Sequence, residues 1–270
     1  MKLKSKLRHL LIFLYFLVGR KVNFSKANKS LTRVIVFHHL DKPKLFEKLI
    51  LKLKKHYNFI SFEDFLCGEK DKSKINLILA FDDGYKSCFT NGNPIFQKYK
   101  LKPIFFINSD LIDLDKKNAF TYCKQRINTW PEESLGWKDL MAFKKQGCLI
   151  GGHTIKHTDL TNKSLEESRL YMNILDDKKR IDFELNQTTS LFAFPFGRWN
   201  DLAVDKVIAA GYEYAFTSDS GFIEDSKNNF KLLRTNIGMR LPLIARAYIE
   251  GCSEILTSDM AKIRSMMRVF

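Results

Sequence analysis

Short apolar segments alternate with helical segments along most of this chain, and this alternation restricts the fold more than any other feature. Six segments have the length and the β-branched and aromatic content of strands: RVIVFHH, INLILAF, KPIFFIN, CLIGG, SLFAFPF and YEYAFTS. Nearly continuous apolar strands are typical of parallel sheets buried on both faces. The pattern therefore predicts an α/β fold, which is either a barrel or an open doubly wound sheet.

The segments between these strands show helical periodicity. KLFEKLILKLKKH places four apolar residues on one face, namely Phe46, Leu49, Ile50 and Leu53. We expect further helices over NPIFQKYK, WKDLMAFKKQG, SLEESRLYMNILDDKKRIDFEL and NDLAVDKVIAAG, the third beginning with a capping box of Ser164 and Glu167. Residues 109–136 show no clear period and are expected to form a long loop or insertion. FKLLRTNIGM is expected to be extended, with helices after it.

The positive charge of the chain lies mainly at its two ends. The formal net charge is +15, yet nine basic residues precede Asp41, the first acidic residue, and three follow Asp259, the last one. A nucleic-acid groove needs basic residues along the folded body, so we do not expect nucleic-acid binding. The five cysteines contain no CxxC pair and are expected to be buried free thiols, which favours a reducing compartment.

The N-terminal segment 1–32 joins a basic start to an apolar run from Leu10 to Val18. Spanning a bilayer takes roughly 20 apolar residues, so a transmembrane helix is not expected. The sequence GRK follows the run at once, without a nearby small-residue cleavage site, which argues against a cleaved signal peptide. We expect an amphipathic helix on an anionic membrane surface, and the basic helical tail 241–270 contacting the same surface.

That interpretation places the chain at the cytoplasmic face of the inner membrane as a peripheral protein. Two alternatives stay open. The chain could be exported to the periplasm with an uncleaved N-terminal anchor, or the N-terminal helix could be solvated or cover the core. Neither the oligomeric state nor the side of the membrane follows from the sequence.

Polar residues follow several predicted strands, at the ends where α/β folds bind ligands. His38 and His39 end the first strand, and Asp82-Asp83-Gly84 ends the second. Taken by itself, Asp82-Asp83-Gly84 could be an ordinary Asp-Gly turn. His153 and His157 are four residues apart, so one turn of helix or a tight loop can direct both imidazoles to one centre. Two histidines and a carboxylate form a common catalytic metal site, whereas two exposed histidines are the ordinary alternative.

Several segments together resemble the polysaccharide deacetylase superfamily (carbohydrate esterase family four). They are AFDDG at 80–84, GWKDLMAFKKQGCLIGGHT with HTIKH at 153–157, LFAFPFGRWN and GYEYAFTSDSGF, in the family's order. The similarity covers residues 33–240, the expected catalytic domain between segments 1–32 and 241–270. It implies a single-domain distorted (β/α) barrel of about seven parallel strands, one divalent metal ion, usually Zn²⁺, and hydrolysis of a sugar N-acetyl group.

The resemblance also implies roles for individual residues. The residues that match the family's metal ligands are Asp83, His153 and His157. Asp82 matches the general base, which takes a proton from the attacking water. In the family, the backbone N–H after the motif's proline stabilises the oxyanion, and here that would be Phe196 after Pro195.

The general acid and the arginine that braces the base depart from the commonest family pattern. No histidine follows His157, where many members carry a late Leu-x-x-His. A branch that includes poly-N-acetylglucosamine deacetylases uses a first-strand histidine in a Tyr-His context, and RVIVFHH resembles it with Phe for Tyr. His38 then aligns with the acid, whereas His39 would point the opposite way along a continuing strand. Arg234 or Arg198 is expected to replace the bracing arginine.

The prediction is a metal-dependent N-deacetylase acting on N-acetylhexosamine units of a surface polysaccharide or its lipid-linked precursor. A non-catalytic carbohydrate-binding or membrane-scaffold protein of the same fold is the alternative from another class. Retention of Asp82 beside the ligand set argues against it, because binding alone needs no base. An amide hydrolase with a non-sugar substrate is a third possibility. Trp130, Trp137 and Trp199 could stack on sugars or pack in the protein.

Overall fold

The computed structural model describes residues 28–254, and its strands form one parallel sheet. The strands are β1 (Thr32–Phe37), β2 (Asn58–Phe59), β3 (Asn76–Asp83), β4 (Ile104–Ile107), β5 (Leu149–Gly152), β6 (Leu191–Ala193), β7 (Tyr214–Phe216) and β8 (Arg234–Asn236). Their order is β7-β6-β5-β4-β3-β1-β8, and β2 pairs with the start of β3. A bridge from Phe216 to Leu232 joins β7 to the segment before β8, so the barrel nearly closes.

Helices connect and cover these strands. They are α1 (Pro43–Lys54), α2 (Phe62–Leu66), α3 (Asn93–Tyr99), α4 (Lys116–Tyr122), α5 (Trp137–Lys145), α6 (Glu167–Leu185), α7 (Asp201–Ala209) and α8 (Pro242–Ile249). Short π-helical turns occupy Cys88–Gly92 and Cys123–Ile127, and 3₁₀ turns occupy Pro195–Gly197 and Ile223–Asp225. The predicted distorted (β/α) barrel of about seven parallel strands is confirmed, and the open sheet is excluded.

The alternation of side chains along β3 shows how the core is divided. Ile78 and Ala80 belong to a cluster inside the barrel, while Leu77, Leu79 and Phe81 pack with the helices outside it. Every residue of β3 is buried, as the continuous apolar run predicts. Because side chains alternate along a strand, the next residue on the inner side is Asp82.

Local patterns predicted the longer elements well. The four apolar residues of the predicted first helix are the buried residues of α1, namely Phe46, Leu49, Ile50 and Leu53. The capping box of Ser164 and Glu167 was wrong, because α6 begins at Glu167 with Glu166 as its N-cap. Ser164 instead bonds the side chain of Asn162 through its N–H and hydroxyl. The short β2 and α2 were not predicted.

Residues 109–136 are more regular than the expected loop. They contain α4 and the π-helical turn that follows it, and these elements bury only Ala119 and Cys123. Two buried positions in so short a helix give no clear period, which explains why the sequence showed none. The segment therefore contains regular helical structure packed beside the barrel and is not a plain loop.

The expected membrane contacts fall largely outside the described part of the chain. The apolar run from Leu10 to Val18 and the tail after Glu254 lie outside residues 28–254. Within those residues, no helix has the length and apolar character needed to cross a bilayer. All five cysteines are free, and four of them are buried, whereas Cys67 is exposed.

Candidate metal centre

Strand β3 carries Asp82 and Asp83 to the carboxyl end of the barrel. Asp83 ends the strand with φ of +77°, and Gly84 follows with φ of +104°. The left-handed conformation is costly for an L-residue and persists where the surrounding structure enforces it. A Cβ on Gly84 would lie 2.9 Å from Cδ1 of Ile112, so glycine suits the position on both counts. The turn directs the Asp83 carboxylate toward the segment after β5.

His153 and His157 lie in a tight loop after β5 rather than on a helix. Thr154 and His157 have φ of +63° and +52°. The side-chain amide of Asn108 donates to the carbonyl oxygens of His153 and Thr154, at 2.7 and 3.1 Å. The hydroxyl of Thr154 accepts from the N–H of Thr158 at 2.8 Å. These bonds hold the loop in its strained shape, with both imidazoles on one side.

The structure brings Asp83, His153 and His157 together. Oδ1 of Asp83 lies 3.7 Å from Nε2 of His153 and 3.5 Å from Nε2 of His157. All three residues are buried, and their possible ligand atoms lie within 4.8 Å of one another. Among residues 28–254, no donor forms a hydrogen bond to Oδ1 of Asp83, although a buried carboxylate oxygen without a partner is costly. The three donors therefore fit a divalent cation.

The surroundings of the histidines favour metal binding through Nε2. Nδ1 of His153 lies 2.7 Å from the carbonyl oxygen of Ala193, which places its proton on Nδ1 and leaves Nε2 unprotonated. Burial lowers the pKa of His153. Burial, together with the repulsion that a protonated His153 would exert, lowers the pKa of His157 to about 4. Both imidazoles are thus neutral near pH 7, which is the form that binds metal.

Asp177 supports the same loop from behind. Its carboxylate accepts the backbone N–H groups of Ser109 and His153, each at 2.9 Å. Burial raises its pKa to about 7. A Cβ on Gly152 would lie 2.9 Å from Oδ2 of Asp177 and would collide with the Tyr212 hydroxyl, so glycine leaves room for this support.

Arg234 on β8 holds the second carboxylate. Its guanidinium NH1 donates to Oδ1 of Asp82 at 2.8 Å, and its Nε donates to the carbonyl oxygen of Thr217 at 2.8 Å. The side chains of Arg234 and Asp82 are 1% and 6% exposed. Burial alone would raise the pKa of Asp82, but the charges of Arg234, His153 and His38 and the Arg234 hydrogen bond together outweigh it, and the net pKa is lowered.

Arg198, the other arginine predicted for this role, lies elsewhere. Its guanidinium pairs with Asp159 at 2.6 Å, and its side chain is largely exposed. The sequence left both arginines open, and the structure places Arg234, not Arg198, against Asp82.

A cavity of about 640 Å³ lies over these residues and is lined in part by His38 and His39. Strand β1 ends at Phe37, before either histidine. After Arg234 and His153, His38 is the next charge that lowers the pKa of Asp82, whereas the ring of His39 lies 6.4 Å from that of Tyr85. The two histidines therefore lie near different groups of the site.

Pro195 and Phe196 lie in the 3₁₀ turn Pro195–Gly197, one residue after the end of β6. Phe196 has φ of +58°, and its ring lies 4.3 Å from that of His157. The side chain is 45% exposed and lines the edge of the cavity. This position brings the backbone of Phe196 beside the histidine loop.

Sequence reasoning missed three buried residues of the site: Tyr85, Asn108 and Asp177. The signal for Asp177 was present, because an acidic residue stands between Ile174 and Ile181 on the buried face of α6. Tyr85 directly follows the Asp-Asp-Gly turn, and burial together with the Asp83 charge raises its pKa.

The three tryptophans have different surroundings. Trp137 is buried, and Nε1 of Trp199 donates to Asp219 at 2.9 Å. Trp130 is 81% exposed and lines a depression with Asn128 and Thr129, which also line the main cavity. Packing therefore explains Trp137, while Trp130 is available to a ligand.

A parallel barrel that carries two histidines and a carboxylate at its strand ends is typical of one class of protein. These are α/β-barrel proteins whose metal sites have the ligand set common in catalysis. The family pattern described as polysaccharide deacetylase matches residues 69–215, more than half of the chain. The chain therefore belongs to the polysaccharide deacetylase family, as its motifs predicted. Its assignment to the branch with an N-terminal catalytic histidine stays a prediction.

Two relatives illustrate the sequence similarity. The Bacillus subtilis protein YxkH is 24% identical over 187 residues, which are 69% of this chain and 60% of YxkH. The poly-beta-1,6-N-acetyl-D-glucosamine N-deacetylase of Staphylococcus aureus is 24% identical over 199 residues, 70% of this chain and 64% of that protein. This chain thus spans less than two thirds of either relative.

Solved structures share the fold. The Streptococcus pyogenes deacetylase PplD in complex with acetate has a TM-score of 0.61 at 22% identity, covering 77% of this chain and 92% of PplD. IcaB from Ammonifex degensii has a TM-score of 0.62 at 15% identity, covering 82% of this chain and 97% of IcaB. At these identities the similarity establishes the barrel fold.

Proposed function

We propose that this protein is a metal-dependent hydrolase that removes the N-acetyl group from N-acetylhexosamine units of a glycan. The observation that carries the proposal is the buried set of Asp83, His153 and His157 beside the ion pair of Asp82 and Arg234. Metal binding alone needs no second carboxylate, whereas hydrolysis needs a base. The family supports the same reaction, the conversion of an acetamide and water to acetate and an amine.

A divalent ion fits the three donors, and Zn²⁺ suits two imidazoles and a carboxylate. Bound there, it would polarise the acetamide carbonyl and lower the pKa of water. The chain's contribution is to fix the donors: Asp177 and Asn108 hold the histidine loop, and the turn at Gly84 presents Asp83.

Asp82 is the proposed base. Arg234 occupies Oδ1 and favours the ionised carboxylate, so Oδ2 is left to take a proton from the attacking water. The water oxygen then bonds to the carbonyl carbon. The backbone N–H of Phe196 is the proposed donor to the oxyanion that forms, and a side-chain substitution there would leave that donor in place.

His38 is the proposed acid that protonates the leaving amine as the C–N bond breaks. Its position near Asp82 supports this role, and His39 beside Tyr85 is the alternative. Replacing each by alanine separates them: His38→Ala is expected to lower kcat about 10²-fold or more, and His39→Ala much less. A larger loss of kcat in His39→Ala than in His38→Ala would instead identify His39 as the acid.

The decisive experiment measures acetate release from N-acetylglucosamine oligomers by zinc-reconstituted protein. Wild type is expected to release acetate, and chelation of the metal to stop it. His157→Ala is expected to lose zinc, measured by elemental analysis and by loss of the zinc-induced rise in Tm. Full zinc occupancy without acetate from any N-acetylated glycan would overturn the proposal and favour a carbohydrate-binding role.

We further propose that the substrate is a surface polysaccharide or its lipid-linked precursor, handled at the cytoplasmic face of the membrane. The support is the basic and apolar sequence of segment 1–32 and the basic tail, most of which lies outside the described residues. Fractionation with protease protection tests this location. Recovery of a processed periplasmic form would contradict it.

A further inference from the structure

A second cavity adjoins the catalytic one. It measures about 650 Å³, and its lining shares His157 and Phe196 with the catalytic cavity. The two rings, 4.3 Å apart, form the ridge between the cavities. A glycan whose acetamide lies over the histidines would therefore reach the second cavity with a neighbouring part of the same molecule.

Three cationic side chains line this second cavity: Arg126, Lys156 and Arg169. They come from the π-helical turn after α4, from the histidine loop and from α6. Within residues 28–254, Arg126 has no ion pair, and the nearest carboxylate oxygens to Lys156 and Arg169 are each 3.9 Å away. Most ion pairs described in this protein measure 2.6–3.1 Å, so these three charges are poorly compensated.

Two of the acidic residues nearby, Asp110 and Asp159, have other, closer partners. Asp110, the neighbour of Lys156, pairs with Arg180 at 3.0 Å. Asp159, which lines the cavity, pairs with Arg198 at 2.6 Å. The lining is consequently positive overall, and its remaining members include the polar side chains of Asn162 and Ser168.

We propose that this second cavity binds an anionic group of the substrate, a phosphate or a carboxylate, while the neighbouring N-acetyl group lies in the catalytic cavity. The inference rests on the proposed function and narrows its substrate to acidic N-acetylated glycans. Cationic side chains bind phosphate and carboxylate through charge-assisted hydrogen bonds. The cavity is open to solvent, so salt will weaken the interaction.

The test compares matched substrates and matched variants of the zinc-loaded protein. The neutral substrate is an N-acetylglucosamine oligomer, and the anionic ones are N-acetylglucosamine linked to glucuronate and an N-acetylglucosamine oligomer bearing a phosphate. The variants are Arg126→Gln, Lys156→Gln, Arg169→Gln and their combination. Lys179→Gln, an exposed charge on α6 away from both cavities, is the control.

Each single variant is expected to raise KM for an anionic substrate about fivefold, and the triple variant about 30-fold or more, with kcat unchanged. The neutral substrate and the control are expected to change less than about twofold. High salt should raise KM for the anionic substrate only. The anion that loses more affinity in the triple variant identifies whether phosphate or carboxylate is the natural group.

Calorimetry separates failure of this inference from failure of the proposed function. N-Acetylglucosamine 1-phosphate is expected to bind wild type more tightly than N-acetylglucosamine, and the triple variant is expected to lose that difference. Acetate release with equal KM for neutral and anionic substrates in all variants would overturn the inference and leave the function standing. Absence of acetate from every substrate would overturn the function, and the calorimetric difference would still decide whether the cavity binds anions.

Discussion

Two buried arginine–carboxylate pairs lie on opposite faces of the same two strands. Val34 on β1 is in register with Arg234 on β8, so Arg234 faces the barrel interior with Val34, and Arg33 faces outward. Arg234 pairs with Asp82 at 2.8 Å, and Arg33 pairs with Glu254 at 2.6 Å. Both arginine side chains are 1% exposed. Arginine burial and pairing distance alone do not tell the pairs apart, although the Glu254 side chain is 27% exposed and that of Asp82 is 6% exposed.

The difference is in what else surrounds each carboxylate. Glu254 also accepts hydrogen bonds from Ser220 and Ser253, and Arg33 bonds Thr235 and lies 4.0 Å from the Phe222 ring centroid. Asp82 accepts a hydrogen bond from Arg234 alone among the described side chains and lines an open cavity. A carboxylate enclosed by donors serves packing, whereas one with a free oxygen facing a cavity is available for proton transfer.

Asp82→Asn should show the largest effect. The amide cannot take the proton from water, so kcat is expected to fall about 10²–10⁴-fold while zinc content stays at the wild-type level. Acetate release and elemental analysis measure the two quantities. Glu254→Gln is the matched control and should keep kcat within about twofold. A kcat for Asp82→Asn above a tenth of wild type would contradict the proposed base.

Glu254→Ala tests the other pair. It leaves the Arg33 guanidinium buried without its carboxylate, so the free energy of unfolding is expected to fall by about 3 kcal/mol. Urea denaturation with an unchanged m-value measures the loss. The kcat of the folded variant should equal that of wild type. A loss below about 1 kcal/mol, or a large fall in kcat, would contradict the claim that the Arg33–Glu254 pair stabilises the fold and has no part in catalysis.

Lysine substitutions should give a smaller, graded effect. Arg234→Lys keeps the charge but loses the planar guanidinium, which donates to Asp82 and to Thr217 at the same time. We therefore expect kcat to fall about tenfold. Arg33→Lys should lower the free energy of unfolding by about 1–2 kcal/mol and leave kcat unchanged. Equal kcat values for the two variants would show that Arg234 does not position the base.

The smallest expected effect is a pH dependence of stability. Burial alone would raise the pKa of Glu254, but the charge of Arg33 and the hydrogen bonds from Ser220, Arg33 and Ser253 together outweigh it, and the net pKa is below its ordinary value of 4.5. A carboxylate with a lowered pKa stabilises the fold above its unfolded-state pKa, and this contribution is lost as pH falls through the lowered one.

The stability difference between wild type and Glu254→Gln should therefore stay constant well above the ordinary pKa of 4.5 and shrink as pH falls from there through the lowered pKa. Urea denaturation at a series of pH values measures it. A difference that stays constant with pH would show that the carboxylate charge contributes nothing to the pair.

Local patterns predicted what depends on neighbouring residues. The buried face of α1 follows from spacing alone, and the histidine spacing predicted that His153 and His157 lie together, on either one turn of helix or a tight loop; the structure has the loop. The resemblance supplied the barrel and the grouping of both histidines with Asp83. Each of these signals is contained in a short stretch of chain.

Long-range pairings were beyond such reasoning. Strand β3 extends through both aspartates, two residues further than predicted, and Asp82 is paired there with Arg234, which is 152 residues away. No local pattern separates Arg234 from Arg198. The distinction depends on which of the two arginine side chains faces the barrel interior, where it can reach Asp82. The second cavity likewise combines residues from the π-helical turn after α4, from the histidine loop and from α6.

Four residues on the β3, β5 and β6 ends that form the site have the left-handed backbone conformation without being glycine: Asp83, Thr154, His157 and Phe196. Glycine would relieve about 1 kcal/mol or more at each position, and the relief would be largest for the β-branched Thr154. At Asp83 and His157, the same change would remove a proposed metal ligand. Laboratory evolution toward thermostability alone would thus tend to discard the site, and libraries for stabilising this protein need a concurrent selection for acetate release.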